Sequence, residues 1–393
     1  MCQTMVAPVL RSGFRPFYVV GPLFGLLAMG LWLTGSWGSG GALAAMFSQR
    51  HWHGHEMIFG FGGAMCGGFI LTALPSWAKT PEVTGRPLAV LVAAWLLGRL
   101  AVLLAPQLPP AVTAAADLAF WSLLTIIVLP QIVKAGSWLY LALAPVLAGF
   151  IGGNLCFHLA ILADDPVGAD RGVLAGYYSL MLLYCQVSGL LVPVFCQTWL
   201  KERGRLDLEP PPALPLLEWA ALLGIVVLAA IDLAAAPPAL IGATAVVVAA
   251  LHVARMVRWR GLAVMSSPLL AVMQLGYGML VLSLLLRAVE ASAAIHAFTI
   301  GAWGLTKFSL MTRVSLKHTG RPLLVPTAMK IAFAGMGLAA AARIGAAFGV
   351  APDLLMPAAV ILWFTPLLIY LLLYLPILTA PSLPGATKGN SHG

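Results

Sequence analysis

The sequence has very few charged residues. Only 9% of its 393 residues are Asp, Glu, Lys or Arg, whereas 61% are hydrophobic, and the mean hydropathy is +0.96. A soluble protein would carry about 25% charged residues. This shortage excludes a soluble globular protein. It predicts an all-α polytopic membrane protein whose surroundings are the lipid bilayer.

Cysteine motifs and a cleavable leader are also missing. The five cysteines lie apart, with no CxxC and no CxxCH, which excludes covalent c-type haem attachment and a thiolate zinc module. No apolar segment near the N-terminus ends in a small-residue cleavage site, so no removable signal peptide is predicted. The net charge of +9 would suggest nucleic acid in a soluble protein. In a membrane protein the location of the charges matters more, and no nucleic-acid partner is predicted.

Twelve apolar runs are each long enough to cross the hydrocarbon core, which takes about 20 residues. They lie near 17–37, 52–75, 87–105, 110–133, 137–163, 171–197, 213–234, 236–256, 264–287, 289–314, 322–349 and 352–378. Because short connections join them, we predict a single transmembrane domain over 1–381, followed by a disordered polar tail at 382–393.

The distribution of basic residues predicts the orientation. Of the 22 Lys and Arg residues, sixteen fall in the loops on one side and four in the loops on the other, with Arg99 and Lys307 inside spans. Since cytoplasmic loops carry the excess of Lys and Arg, both termini are predicted to lie in the cytoplasm.

Histidines gather at the predicted outer surface. His51, His53 and His55 begin the second span, while His158 and His296 lie near the same surface in the fifth and tenth spans. Ionisable groups inside a membrane are expensive and usually functional, and imidazole is the commonest metal ligand. The candidate metal ligands are His51, His53, His55, His158, His296 and the soft ligand Met57.

These residues leave the kind of metal site open. Haem b takes axial imidazoles on opposite faces of the ring, which suits His296 with either His53 or His55. Copper accepts imidazole and, as Cu(I), thioether sulfur. Glu56 is a candidate second-shell partner for a ligating ring. In the alternative, the histidines contact headgroups and water, and His158 could simply hydrogen-bond Asn154 one turn earlier.

The other polar residues inside spans have structural explanations. Arg99 and Asp117 fall at comparable depth, so an ion pair is predicted. His252, which lies near cytoplasmic arginines, is expected to contact headgroups, and Tyr177 and Tyr178 are expected to be interfacial aromatics. Four glycines of the second span favour close helix packing, namely Gly62, Gly63, Gly67 and Gly68.

One pattern occurs twice. A histidine is followed five residues later by glycine (His55 and Gly60, His296 and Gly301), an apolar run follows, and Thr-Gly-Arg-Pro-Leu comes after it, at 84–88 and at 319–323. Two helices that each begin with histidine on the same side of a membrane could hold a cofactor between them.

Several of these motifs resemble those of the NnrS family of bacterial inner-membrane proteins. They are GFRPF at 13–17, WHxHEM with FGF at 52–61, GFxLTAxPxW at 68–77, and HAxTxG with RxSLxHTGRPL at 296–323. The matching positions are His53, His55, Glu56, His296, Arg313, His318 and Arg321. The sequence departs from the family pattern at Leu190, where many relatives have arginine, and at Lys317, where they have glycine.

The resemblance implies twelve helices, haem and copper, and a role in denitrification and in protection against nitric oxide. The leading hypothesis is therefore a haem b protein, with copper as a further cofactor, that gives tolerance of nitric oxide and binds nitric oxide or a redox partner. By analogy of fold it would be arranged like the core subunit of haem-copper oxidases.

Two other functions remain open. A twelve-span transporter or metal-handling permease could use Lys307, Glu218, His252 and Asp232 along a path. A membrane-bound metal-dependent reductase is the third hypothesis, and the absence of histidine from spans six and seven weighs against it. Catalytic residues, metal stoichiometry and oligomeric state are not predicted.

Overall fold

The structure, a computed structural model, describes residues 6–33 and 47–384. The described residues contain no β-strand. The predicted tail lies outside them from residue 385 onward, as does the end of the first predicted span beyond Leu33.

Twelve long helices account for the predicted spans. They are α1 (Phe14–Leu33), α2 (Gln49–Ala78), α3 (Arg86–Leu103), α4 (Pro110–Ala135), α5 (Leu143–Leu162), α6 (Pro166–Lys201), α7 (Pro215–Leu233), α8 (Pro238–Arg258), α9 (Pro268–Leu286), α10 (291–317), α11 (Thr327–Ala347) and α12 (Pro352–Thr379). Short helical turns lie at Pro8–Leu10, Ala105–Gln107, Trp138–Leu141, Leu206–Leu208 and Gly261–Val264.

Eleven of these helices are long and apolar enough to cross a membrane. The exception is α10, whose three segments of 6, 8 and 13 residues are together long enough but less apolar. It carries His296, Lys307, Arg313 and Lys317. The prediction of an all-α polytopic membrane protein is confirmed.

Helices α2 and α10 each contain a π-helical segment. In α2 it covers Glu56–Phe61 and in α10 it covers Ala297–Gly304. Each segment starts directly after a histidine of the repeated pattern, His55 or His296. Short π-helical segments inside α-helices are rare and are frequent at functional sites.

Ordinary sequence signals set many of the helix ends. Proline stands in the first turn of α3, α4, α7, α8 and α9, where its missing N–H costs nothing. The α2 helix is capped by Ser48, whose hydroxyl accepts the His51 N–H at 3.1 Å. At the other end of α2, Lys79 adopts the left-handed conformation (φ 53°).

The described residues form two compact units. Unit 1 covers 6–33, 47–180, 314–323 and 370–384, and unit 2 covers 181–313 and 324–369. In unit 1, α2 packs against α1 and α4, and α4 also packs against α3 and α5. In unit 2, α7, α8, α9, α10 and α11 pack in sequence, each against the next. The single domain over 1–381 stays a prediction.

Small residues allow the close packing around α2. A Cβ on Gly67 would lie 2.8 Å from the Phe120 ring, and one on Gly68 would lie 2.9 Å from Phe17 Cβ. Gly63 similarly faces Trp121 at 3.3 Å. As predicted from the glycines, close helix packing at these positions is confirmed, and α2 is the most buried of the candidate spans.

The predicted interfacial position of Tyr177 and Tyr178 is wrong. Only 5% and 4% of their surfaces are exposed, and their rings contact each other with centroids 5.2 Å apart. Helix α6 begins at Pro166, so these tyrosines lie about three turns inside it. An aromatic pair is compatible with either a headgroup or a protein environment, and hydropathy does not distinguish the two.

Candidate metal site

A buried cluster of three potential metal ligands lies inside unit 1. Helix α2 supplies His55, α4 supplies Asp117 and α5 supplies His158. The Nε2 atoms of His55 and His158 lie 3.0 Å and 2.9 Å from the same carboxylate oxygen, Asp117 Oδ2. The three residues are 0%, 1% and 3% exposed. Two imidazole nitrogens and a carboxylate oxygen therefore converge at one point within the protein.

A second layer of polar side chains holds these three in place. Glu56 Oε1 lies 2.8 Å from His55 Nδ1 and accepts a hydrogen bond from Arg99 Nη1 at 2.5 Å. The other arm of Arg99, through Nη2, pairs with Asp117 Oδ1. The predicted ion pair between Arg99 and Asp117 is confirmed, and Arg99 bridges both carboxylates of the cluster.

Asn154 completes the polar surroundings. Its Oδ1 lies 2.9 Å from His55 Nε2, and the residue is fully buried. The expected hydrogen bond from His158 to Asn154 is replaced by one to Asp117. Both side chains project from α5, and each reaches a different neighbouring helix instead of its own next turn.

Aromatic rings seal one side of the cluster. Phe157 stacks on His55 with ring centroids 4.4 Å apart, and Phe59 contacts the same ring at 5.1 Å. Phe157 belongs to an apolar group that also includes Phe47 and Trp52. Water is thus kept from these rings, so that the electrostatic interactions of the cluster act in a medium of low dielectric constant.

The remaining candidates of the His51–Met57 stretch lie elsewhere. His51 Nε2 is 3.2 Å from Asp170 Oδ1. The ring of His53 lies 5.6 Å from that of Trp32. Met57 packs against the apolar group of Phe47. Of the histidines that begin α2, only His55 belongs to the three-ligand cluster.

The other histidine of the repeated pattern belongs to unit 2. This histidine, His296, lies on α10 directly before the π-helical segment. Its Nδ1 is 2.7 Å from the carbonyl oxygen of Ser292. Because a carbonyl can only accept, Nδ1 carries the proton. The ring is therefore held in the tautomer whose Nε2 has the lone pair that a metal ligand needs.

The other motif positions make structural contacts. The Arg313 guanidinium lies over the Phe195 ring at 4.0 Å, and the His318 ring lies 5.8 Å from that of Phe14. Arg321 donates to the carbonyl oxygen of Thr319 at 3.3 Å.

A second buried polar network lies in unit 2. His252 is fully buried, and its Nδ1 is 2.6 Å from the hydroxyl of Tyr277. Tyr277 also accepts from Arg255 Nη1 at 3.1 Å, and Arg255 pairs with Glu218. The expected headgroup contact of His252 is therefore wrong. Pairing with Tyr277 satisfies the ring inside the protein.

Two residues of the candidate site were missed from the sequence. Asp117 was assigned only to an ion pair, and Asn154 only to a neighbour on its own helix. An Asp inside a span at the depth of His158 was the available signal, because an intramembrane carboxylate is itself a functional-site indicator.

Comparison with known proteins gives the family. None of the curated proteins compared matches the chain. The NnrS protein family matches residues 8–382, nearly the whole sequence. The motifs that suggested the resemblance lie within this range, and the chain belongs to the NnrS protein family.

Proposed function

We propose that this membrane protein of the nitric oxide response binds a transition-metal ion through His55, Asp117 and His158, in the cytoplasmic membrane of a bacterium. Membership of the NnrS family supports the relation to nitric oxide. The convergence of His55 Nε2 and His158 Nε2 on Asp117 Oδ2 is the observation that carries the proposal. Imidazole and carboxylate ligands suit divalent iron, zinc and copper.

The surrounding residues suit a metal ligand set. A ligating histidine usually gives its second ring N–H to a carboxylate, and Glu56 lies 2.8 Å from His55 Nδ1. Arg99 holds both Glu56 and Asp117, which fixes the orientation of the ligating carboxylate. Arg99 pairs with both carboxylates, so the metal content of the protein is the measurement that separates a metal site from an ion-pair network.

Haem b remains part of the proposal, and His296 in unit 2 and His53 in unit 1 are each a candidate axial ligand. The fixed tautomer of His296 fits an axial ligand. His55 is assigned to the ion site with Asp117 and His158, so it is not assigned to the haem. When bound, haem would supply a redox-active iron able to bind nitric oxide. Copper would find two imidazoles at His55 and His158, a set that suits Cu(II) better than Cu(I).

Metal analysis of purified protein tests the ion site. We expect about one ion per chain, reduced at least about tenfold in His158→Gln and Asp117→Asn. Glutamine keeps a hydrogen-bonding side chain toward Asp117, so loss of folding is not the default explanation. His51→Ala is the matched control, since it removes a histidine one turn from His55 that contacts Asp170 instead. Equal metal content in all four proteins would refute the site.

An absorption spectrum tests the haem assignment. The wild-type protein is expected to show a Soret band that is lost or shifted in His296→Ala and His53→Ala and is retained in His158→Gln. A protein without a Soret band after expression with haem supply, or a band that none of these substitutions changes, would exclude these axial ligands.

The polar residues do not favour the permease. Arg255 pairs with Glu218, and Arg287 donates to Asp232 at 2.6 Å. His252 is bonded to Tyr277. These groups satisfy one another within unit 2, whereas a transport path needs groups available to a passing substrate.

A further inference from the structure

The three ligand atoms of the candidate site have a recognisable arrangement. Two histidine nitrogens and one carboxylate oxygen that share a face of a metal ion form the set typical of non-haem ferrous sites, which leave the opposite face open. Both Nε2 atoms lie 2.9–3.0 Å from Asp117 Oδ2. With metal–ligand bonds of about 2.1 Å, adjacent ligands are separated by about 3.0 Å at right angles and by about 3.4 Å at tetrahedral angles. The two nitrogen–carboxylate separations are compatible with the right-angled case, and all three ligand atoms lie within 4.8 Å of one another.

We propose that the ion held by His55, Asp117 and His158 is ferrous iron, and that nitric oxide binds to it as an added ligand on the open face. This inference rests on the proposed metal site and gives its metal and its ligand class. Only a coordinate bond forms, from nitric oxide to the iron, and no co-reactant is consumed. The assignment separates this site from haem, because no porphyrin nitrogen takes part.

The polar atoms around the cluster suit a small ligand. Asn154 Nδ2, Thr113 Oγ1 and Trp121 Nε1 are buried and have no hydrogen-bond partner among the described residues. Thr113 and Trp121 lie one turn before and one turn after Asp117 on α4, and the amide of Asn154 is beside His55 Nε2. Buried donors in native proteins rarely go without a partner. A ligand of one or two heavy atoms beside His55 would supply a partner for Asn154 Nδ2.

The surroundings also favour a ligand that carries little charge. Phe157 and Phe59 flank His55, and the cluster residues are nearly fully buried. Bringing an anion to this depth would cost far more than bringing a neutral diatomic molecule. Nitric oxide is neutral and dissolves in the bilayer core, so it needs no polar entry path.

The experiment uses the full-length protein in detergent, purified without oxygen, loaded with ferrous salt and exposed to nitric oxide. We expect one tightly bound iron per chain and, with nitric oxide, the half-integer-spin EPR signal of a non-haem iron nitrosyl complex. In His158→Gln and Asp117→Asn, the bound iron and the EPR signal should each fall at least about tenfold. His51→Ala should keep both. His296→Ala should keep this signal even where it alters a Soret band.

Asn154 gives a finer test. It is a positioning residue toward the bound ligand, so Asn154→Ala should keep its iron but bind nitric oxide about fivefold more weakly, as expected from losing one hydrogen bond. Equal loss of iron and of nitric oxide binding would instead mean that Asn154 only supports the fold of the site.

The outcomes separate this inference from the proposed function. Copper or zinc that depends on His158 and Asp117, with no iron loading and no nitrosyl signal, would overturn the ferrous assignment and leave the metal site standing. Metal content that does not depend on these residues would overturn both. A nitrosyl signal that survives both substitutions would place the nitric oxide elsewhere and overturn the inference.

Discussion

Asp117 shows how much a single carboxylate can organise inside a membrane. Its Oδ2 faces the rings of His55 and His158, and its Oδ1 pairs with Arg99. A buried carboxylate is tolerated only where its charge is matched and its lone pairs are satisfied. Each neighbour of Asp117 therefore depends on the others, and removal of one of them should weaken the contacts of the rest.

Replacing Arg99 with methionine should destabilise the protein strongly. The substitution keeps most of the side-chain volume but leaves the buried carboxylates Glu56 and Asp117 without the guanidinium that bridges them. Breaking a buried ion pair by removing one partner costs about 3–5 kcal/mol. Thermal unfolding in detergent should show a clearly lower midpoint than for the wild-type protein.

The matched control for that substitution is Arg50→Ala. Arg50 also pairs with an aspartate, Asp170, but its side chain is 81% exposed, so its loss should cost less than about 1 kcal/mol. Similar unfolding midpoints for the two variants would mean that the Arg99 bridge does not hold the cluster together.

At the scale of elements, the repeated pattern acquires a structural meaning. The spacing of five residues between His55 and Gly60, and between His296 and Gly301, is the hydrogen-bond spacing of a π-helix. A π-helical segment directly follows each histidine. It adds about one residue to a turn, which changes the direction in which the following side chains point. Hydropathy patterns do not register such a change, because the residues involved are nearly all apolar.

Gly60 should be required for the geometry of the metal site. A Cβ at this position would lie 2.9 Å from Arg99 Nη1 and 3.0 Å from Glu56 Oε2. Gly60→Ala should therefore push Arg99 away from Glu56 and lower metal occupancy by several-fold, at a stability cost of about 1–3 kcal/mol for overpacking. Metal content and thermal unfolding together measure this.

Gly30→Ala serves as its comparison. Gly30 lies on α1, where no other described residue comes within 4 Å of the added methyl apart from the backbone of its own helix, so the substitution should be neutral or should stabilise the helix by up to about 1 kcal/mol. A Gly60→Ala protein that behaved like Gly30→Ala would show that the close approach at the π-helical segment is not needed.

For the molecule as a whole, alternate loops should face opposite sides of the membrane. The loop between α5 and α6 contains Asp164 and Asp165, while the loop between α6 and α7 contains Arg203 and Arg205 and follows Lys201, the last residue of α6. The excess of basic residues predicts that the second loop is cytoplasmic and the first is not.

Reporter fusions check this orientation. Alkaline phosphatase, which needs disulfides formed outside the cytoplasm, should be active when fused after Asp164 and inactive when fused after Arg203. A fluorescent protein that matures only in the cytoplasm should show the reverse. The same pattern at both positions, or the opposite one, would contradict the predicted topology and the outer position of the histidines that begin α2.

The sequence by itself determined the membrane class, the long helices and part of the ion pairing. A helix in lipid must satisfy its own backbone and cover about 20 apolar residues, so the spans could be predicted within a few residues. Arg99 and Asp117 could be paired because an unpaired charge inside a span is too costly. The same reasoning predicted His55 as a ligand but gave no means of choosing among its neighbours.

Only the tertiary structure decided which polar groups meet. It joined His55 to His158 through Asp117, directed Asn154 toward α2, and paired His252 with Tyr277. The physical reason is that the rotation of each helix about its axis and its depth in the membrane decide which side chains meet. Packing of α2 against α4, and of α4 against α5, together with the π-helical segment, fixes where each side chain points. A helix that is apolar on all sides specifies neither its rotation about its own axis nor its depth in the membrane.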